Sequence, residues 1–144
     1  MRRLLATFAV LAFCSGFAAA QDTDPQAAMR KAVKNTKISV DWKDALMQDV
    51  AKELAEKLEE DGKVKGARVK VDSIVSGLTQ NMKVTFTSKN KTIAETLDEF
   101  GKKYALGYVI LGKDDPKSKY KAHKKADGTL LITKTDERGD PKKD

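Results

Sequence analysis

Residues 117 to 125 read KSKYKAHKK: five lysines, one tyrosine and the only histidine of the chain, with no acidic residue among them. Such a run can grip an anion, because Lys117, Lys119, Lys121, Lys124 and Lys125 raise the local positive potential and Tyr120 can add stacking or a hydrogen bond. The plainer reading is a solvated hairpin loop bounded by Pro116 and the Asp127-Gly128 turn, whose lysines also discourage pairing with a stray strand. His123 has no serine-centred elbow or other nucleophile motif beside it, and only Asp127 nearby to orient its ring. It therefore marks no catalytic site.

Other candidates reduce to structure in the same way. Glu59, Glu60 and Asp61 fall at a helix end, where neighbouring side chains diverge and the dipole disfavours acids. A calcium loop needs regularly spaced oxygen ligands around a glycine, which this segment lacks. The stretch GKVKG, Gly62 to Gly66, has neither the spacing nor the ending of a phosphate loop. Trp42 and Tyr108 suggest a sugar-stacking platform, but Trp42 shares a face with Ile38 and Val40, which argues for core packing. The expectation is a chain with no catalytic residue, no cofactor and no metal site, that is, not an enzyme.

The first residues, MRRLLATFAVLAFCSGFAAAQDTD, have the three-part layout of a secretory signal peptide. Two arginines precede an apolar run from Leu4 to Phe13, and Ala18 and Ala20 supply the small side chains for cleavage after residue 20. The run is shorter than the roughly 20 residues of a membrane span, so no transmembrane span is expected. The alternative, Cys14 as a lipid-anchored first residue, is disfavoured by the bulky Phe13 before it. Cys14 is the only cysteine, so the mature chain holds no disulfide, thiolate nucleophile or cysteine-ligated metal. One histidine likewise excludes a multi-histidine zinc site.

The formal charge of +7 is unevenly placed. Residues 37 to 112 hold 13 basic and 12 acidic groups, while residues 113 to 144 hold 10 and 7. A nearly neutral core beside a basic loop points to a local anionic contact at most, and export makes nucleic acid an improbable partner.

These side chains need elements to hold them. Residues 21 to 36 form a leader in which Asp24 and Pro25 can open a short helix to about Asn35. KISVDW, from Lys37 to Trp42, alternates as a half-buried strand. From Leu46 the period lengthens: Leu46, Val50, Leu54 and Leu58, widened by Ala51 and Ala55, make a helix to about Glu60 that stops at Gly62. Strands follow at Val69 and Val71 and at Met82, Val84 and Phe86, with Ile74 to Asn81 a turn or an edge cover. Thr92 with Glu95 is a capping box that opens a second helix. Its stripe is Ile93, Leu97, Phe100 and Tyr104, and Gly107 should end it. GYVIL and TLLIT read as a long-looped hairpin. The order β-α-β-β-α-β-β predicts an α+β domain over residues 37 to 134, with two helices on one face of a small mixed sheet. Residues 135 to 144 make a charged tail. A loose twofold echo is visible: each helix follows a strand and a polar turn, and is followed by another strand.

The pattern ISVDWKDALMQDVAKELAEKL followed by NMKVTFTSKNKTIAETLDEFGKKYALGYVI resembles the N-terminal domains of secretins and the related short N-terminal domain of TonB-dependent receptors. It covers residues 37 to 112, mostly at core and cap positions. The resemblance implies a free-standing, exported interaction or scaffolding module of a bacterial envelope, periplasmic or extracellular. Its partner would be an envelope protein or a second copy, met through sheet edges or helix faces. Two departures limit it: the link from Glu56 to Asn81 is longer than usual, and no barrel-forming or multimerising secretin portion is expected to follow, so a role in an outer-membrane pore does not carry over; nor does any family binding residue. The alternative function is binding of an anionic envelope polymer or lipid surface through the lysine-rich loop. The GxxG clamp of KH RNA-binding domains, which share the general topology, is missing.

Overall fold

The structure, a computed structural model, describes residues 24–112, 120 and 127–134. The leader over residues 1–20, the loop lysines, His123 and the tail over 135–144 lie outside them.

The fold is α+β, with three helices and five strands in the expected order after an opening helix. Helix α1, Pro25–Asn35, is capped by the Asp24 carboxylate, which accepts from the Gln26 N–H at 3.2 Å, and proline at the first turn loses no helical bond. It packs on the core through Met29, Ala32 and Val33. There follow β1, Lys37–Leu46; α2, Met47–Glu60; β2, Val69–Val71; β3, Lys83–Thr92; α3, Ile93–Tyr104; β4, Leu106–Ile110; and β5, Leu130–Lys134.

The strands divide between two sheets, where the sequence suggested one. Strands β1 and β3 form an antiparallel ribbon, and β5 lies between β2, to which it runs parallel, and β4, to which it runs antiparallel. Helix α2 packs on β1 and β2, and α3 packs on β1, β3 and β4, so the helices sit between the two sheets. The main core runs through all the layers, and Leu111, Tyr120 and Leu131 form a smaller cluster beside it. At its centre Phe100 meets Trp42 at 5.3 Å and Phe86 at 5.5 Å between ring centroids, both edge to face. This division explains the width of the helical stripes: each helix has to bury two sides.

Several boundaries moved, and β3 runs on to Thr92. The first strand continues past Trp42 to Leu46, which caps α2 instead of opening it. Leu46 offers no side-chain acceptor; the Met47 N–H instead donates to the Met82 carbonyl at 2.9 Å and the Gln48 N–H to the Gln80 carbonyl at 3.1 Å. Helix α3 ends at Tyr104, with Ala105 in the left-handed region at φ 53°, and Gly107 belongs to β4. The buried Leu106 starts that strand, so the chain must leave the helix before the glycine. Gly62 serves close approach: a Cβ there would meet the Leu58 carbonyl at 2.6 Å.

Candidate functional site: open strand edges

Strands β1 and β3 are built alike. Both alternate in burial over six residues and then run exposed or half-buried, and each carries a bulge that puts one residue in the left-handed region, Asp44 and Asn90, both at φ 50°. These side chains tolerate that conformation better than most. The Asp44 N–H donates to the Thr85 hydroxyl at 3.1 Å, and in mirror fashion the Asn90 N–H donates to the Ser39 hydroxyl at 3.0 Å. Each helix then takes its first N–H bond from the residue preceding the opposite strand: Met47 to Met82 and Ile93 to Thr36, at 2.9 and 3.0 Å. At the centre of the ribbon Thr87 donates to Asp41 at 2.8 Å. That bond and the Lys43 ammonium, 3.0 Å away, hold the Asp41 carboxyl below the usual range.

The two edges of this ribbon differ. On β3 the Tyr104 hydroxyl accepts from the Thr85 N–H at 2.7 Å and donates to the Thr85 carbonyl at 2.8 Å, and Lys103 Nζ donates to the same carbonyl at 2.6 Å. Thr85 therefore points its peptide groups away from β1. With Trp42 opposite Phe86 and Val40 opposite Ser88, strand alternation turns the peptide groups of Ser39 and Asp41 outward. No described residue bonds to them, because Leu58 occupies in α2 the place of Tyr104 in α3 and its side chain is fully buried.

A second open edge lies on β2. The Leu130 N–H donates to the Arg68 carbonyl and the Asp72 N–H to the Ile132 carbonyl, so Val69 and Val71 face away from β5. The Val71 carbonyl is taken by the Ser73 N–H at 3.0 Å; the Val69 peptide groups and the Val71 N–H have no partner among the described residues. They open into a groove of about 600 Å³ between β2 and α2, floored by Ala51 and Ala55. Lys52, Arg68 and Lys70 line it and no carboxylate does, although Arg68 pairs with Asp127 at 2.6 Å and Lys52 with Glu56 at 4.0 Å outside the lining. Beside it stands Ile74, 60 % exposed, the one large exposed apolar side chain among the described residues.

The Asp72 carboxylate fixes the position of Ile74. This fully buried aspartate accepts from the N–H groups of Ile74, Val75 and Ser76 and from the hydroxyls of Ser76 and Thr133, at 2.9 to 3.2 Å. Asp72, four residues before Ser76, is a readable turn signal; the turn reading of Ile74 to Asn81 rests on Ser76, Gly77 and Asn81 and leaves the aspartate out.

Of the residues singled out from sequence, Tyr120 is buried against Leu111 and Leu131, while the loop lysines and His123 lie outside the described region. Trp42 is buried, and its indole N–H donates to Glu53 at 2.9 Å. Glu59, Glu60 and Asp61 are exposed at the end of α2. Among the described residues no group of metal-ligating side chains converges, and no helix is long and apolar enough to cross a membrane. No family model, curated protein or solved structure matches the chain.

Proposed function

We propose that the chain is an exported, non-enzymatic docking module of a bacterial envelope, which takes an extended, acidic segment of a partner protein onto the edge of β2. One observation carries this: the Val69 peptide groups and the Val71 N–H, without a partner among the described residues, face a groove lined by Lys52, Arg68 and Lys70 and by no carboxylate. An added strand would satisfy those groups, lay alternate side chains over Ala51 and Ala55, and set its acids against Lys52, Arg68 and Lys70. The secretory layout of residues 1 to 20 and the likeness of residues 37 to 112 to secretin N-terminal domains support the compartment and the mode of action.

Peptides displayed on phage and selected on the full chain test it. They should converge on β-branched, acidic segments whose binding weakens with salt and is lost in Val69→Pro. That variant spares the ladder to β5, because the Val69 N–H faces outward. Failure to enrich any segment, or binding indifferent to Val69→Pro, overturns the docking site. A chain recovered from the envelope with residues 1 to 20 still attached overturns processed export.

A further inference from the structure

The β3 edge of the ribbon is blocked at Thr85, the β1 edge carries no such block, and the β1 edge is complementary to itself. We propose that β1 pairs antiparallel with β1 of a second copy of this chain, joining two ribbons into a four-stranded sheet across a twofold axis. The proposal deepens the docking reading by naming a second copy as a partner. It uses a different edge from β2, so the two stand or fall separately.

A twofold pairing must set outward-facing residues of one strand against outward-facing residues of the other. Centred on Asp41, it would oppose two aspartates, and centred on Val40 it would bring Lys37 against the partner's Lys43. Centred on Trp42, it sets Asp41 opposite the partner's Lys43 and Lys43 opposite the partner's Asp41, two matched charge pairs on the solvent face. Thr87 holds one Asp41 oxygen, Oδ1, and the other, Oδ2, meets Lys43 of the same chain; with the side chains 53 % and 79 % exposed, that second oxygen can exchange its own Lys43 for the partner's. Trp42 is already buried in its own core and does not enter the contact.

The same features limit what forms. The bulge at Asp44 bends the strand and ends the ladder after a few residues, so the association is weak and depends on concentration. In the joined sheet the outer strands are β3 and its copy, whose edges are blocked at Thr85 by Tyr104 and Lys103. An isologous contact whose outer edges are interrupted in this way stops at two subunits.

Sedimentation velocity of the full chain, from about 1 μM to about 1 mM, reads the assembly directly. The expected result is a monomer–dimer equilibrium that D41K weakens by about tenfold or more, since lysine would then face lysine. The double variant D41K/K43D restores the pairing, while the thermal midpoint of both variants stays near that of the parent because both positions are exposed. A chain monomeric at every concentration, a D41K variant that associates as before, or a double variant no better than D41K overturns the proposal. Association lost in Val69→Pro and kept in D41K would assign self-contact to β2 and overturn it too.

Discussion

The segments 37–60 and 83–104 share a backbone and almost nothing of their sequence. Lys37 matches Lys83, Lys43 matches Lys89, Glu53 matches Glu99 and Lys57 matches Lys103, yet the core and cap positions hold different residues. Trp42 stands where the other half has Ser88, and Leu54 where it has Phe100. The frame therefore rests on what the two halves do share: alternation in the strand, one left-handed residue at the bulge, and a first helical N–H bonded to the opposite strand. Polar side chains then give each half its own fittings. The first borrows carbonyls of Met82 and Gln80 to cap its helix and leaves its strand edge bare. The second carries a capping box and closes its edge with Tyr104.

The largest contrast is in the core. Phe100 and Leu54 occupy matching places and are both buried, but Phe100 also stacks with Trp42, Phe86 and Tyr104. Phe100→Ala should cost about 3–5 kcal/mol in denaturant unfolding, and Leu54→Ala less, about 2–4 kcal/mol. A reversed order would place the structural centre in the first half.

Next comes the helix cap. Thr92→Ala should cost about 1 kcal/mol, whereas Leu46→Ala loses no cap bond because α2 is capped by backbone carbonyls. Bonds from the Thr92 N–H and hydroxyl hold the Glu95 carboxyl below its ordinary value. A lowered folded-state value stabilises the fold above the unfolded value, and the gain is lost as pH falls through the folded one. Acid unfolding of Thr92→Ala should thus show a shallower dependence in the carboxylate range. An unchanged profile would mean that the Thr92 N–H, which the variant keeps, carries the whole effect on Glu95.

The pattern of apolar residues made the elements and their class legible, because burial follows alternation and helical period almost residue by residue from Ile38 to Phe100. Even the twofold echo could be read. The second sheet could not, since it depends on how far β1 and β3 run, and KDAL and KNKT look like polar turns until the bulges at Asp44 and Asn90 let the strands continue. The candidate site was hidden for a related reason. An open edge is made of peptide groups, which every residue has, and only the ladder to β5 shows which of them face outward. Tyr104 looked like another member of the helical stripe, because a hydroxyl that reaches a strand edge has no signature in spacing.

A smaller effect follows from that hydroxyl. Tyr104→Phe keeps the ring on Phe100 and removes two bonds to Thr85, at a cost of about 1 kcal/mol. Its sharper readout is the Thr85 amide, which should lose protection from hydrogen exchange. With both ribbon edges open, the two halves become alike, and association should continue past two subunits at high concentration. A variant that stops at the parent's assembly would show that Lys103 alone closes the edge.

The smallest expected difference lies at the bulges, where the two halves should respond alike. Asp44 and Asn90 both sit at φ 50°, a conformation that costs an ordinary L-residue about 1–2 kcal/mol and glycine almost nothing. Asn90→Ala should therefore destabilise by about 1 kcal/mol, and Asn90→Gly should fall within about 0.5 kcal/mol of the parent, relief of strain offsetting the entropy of the unfolded chain. Asp44 carries one addition, an ion pair with Lys83 at 2.8 Å between side chains 71 % and 62 % exposed. Exposed pairs contribute at most about 1 kcal/mol and are screened by salt. Any excess cost of Asp44→Gly over Asn90→Gly should vanish in high salt; an excess that persists there would mean that the backbones of the two bulges are not equivalent.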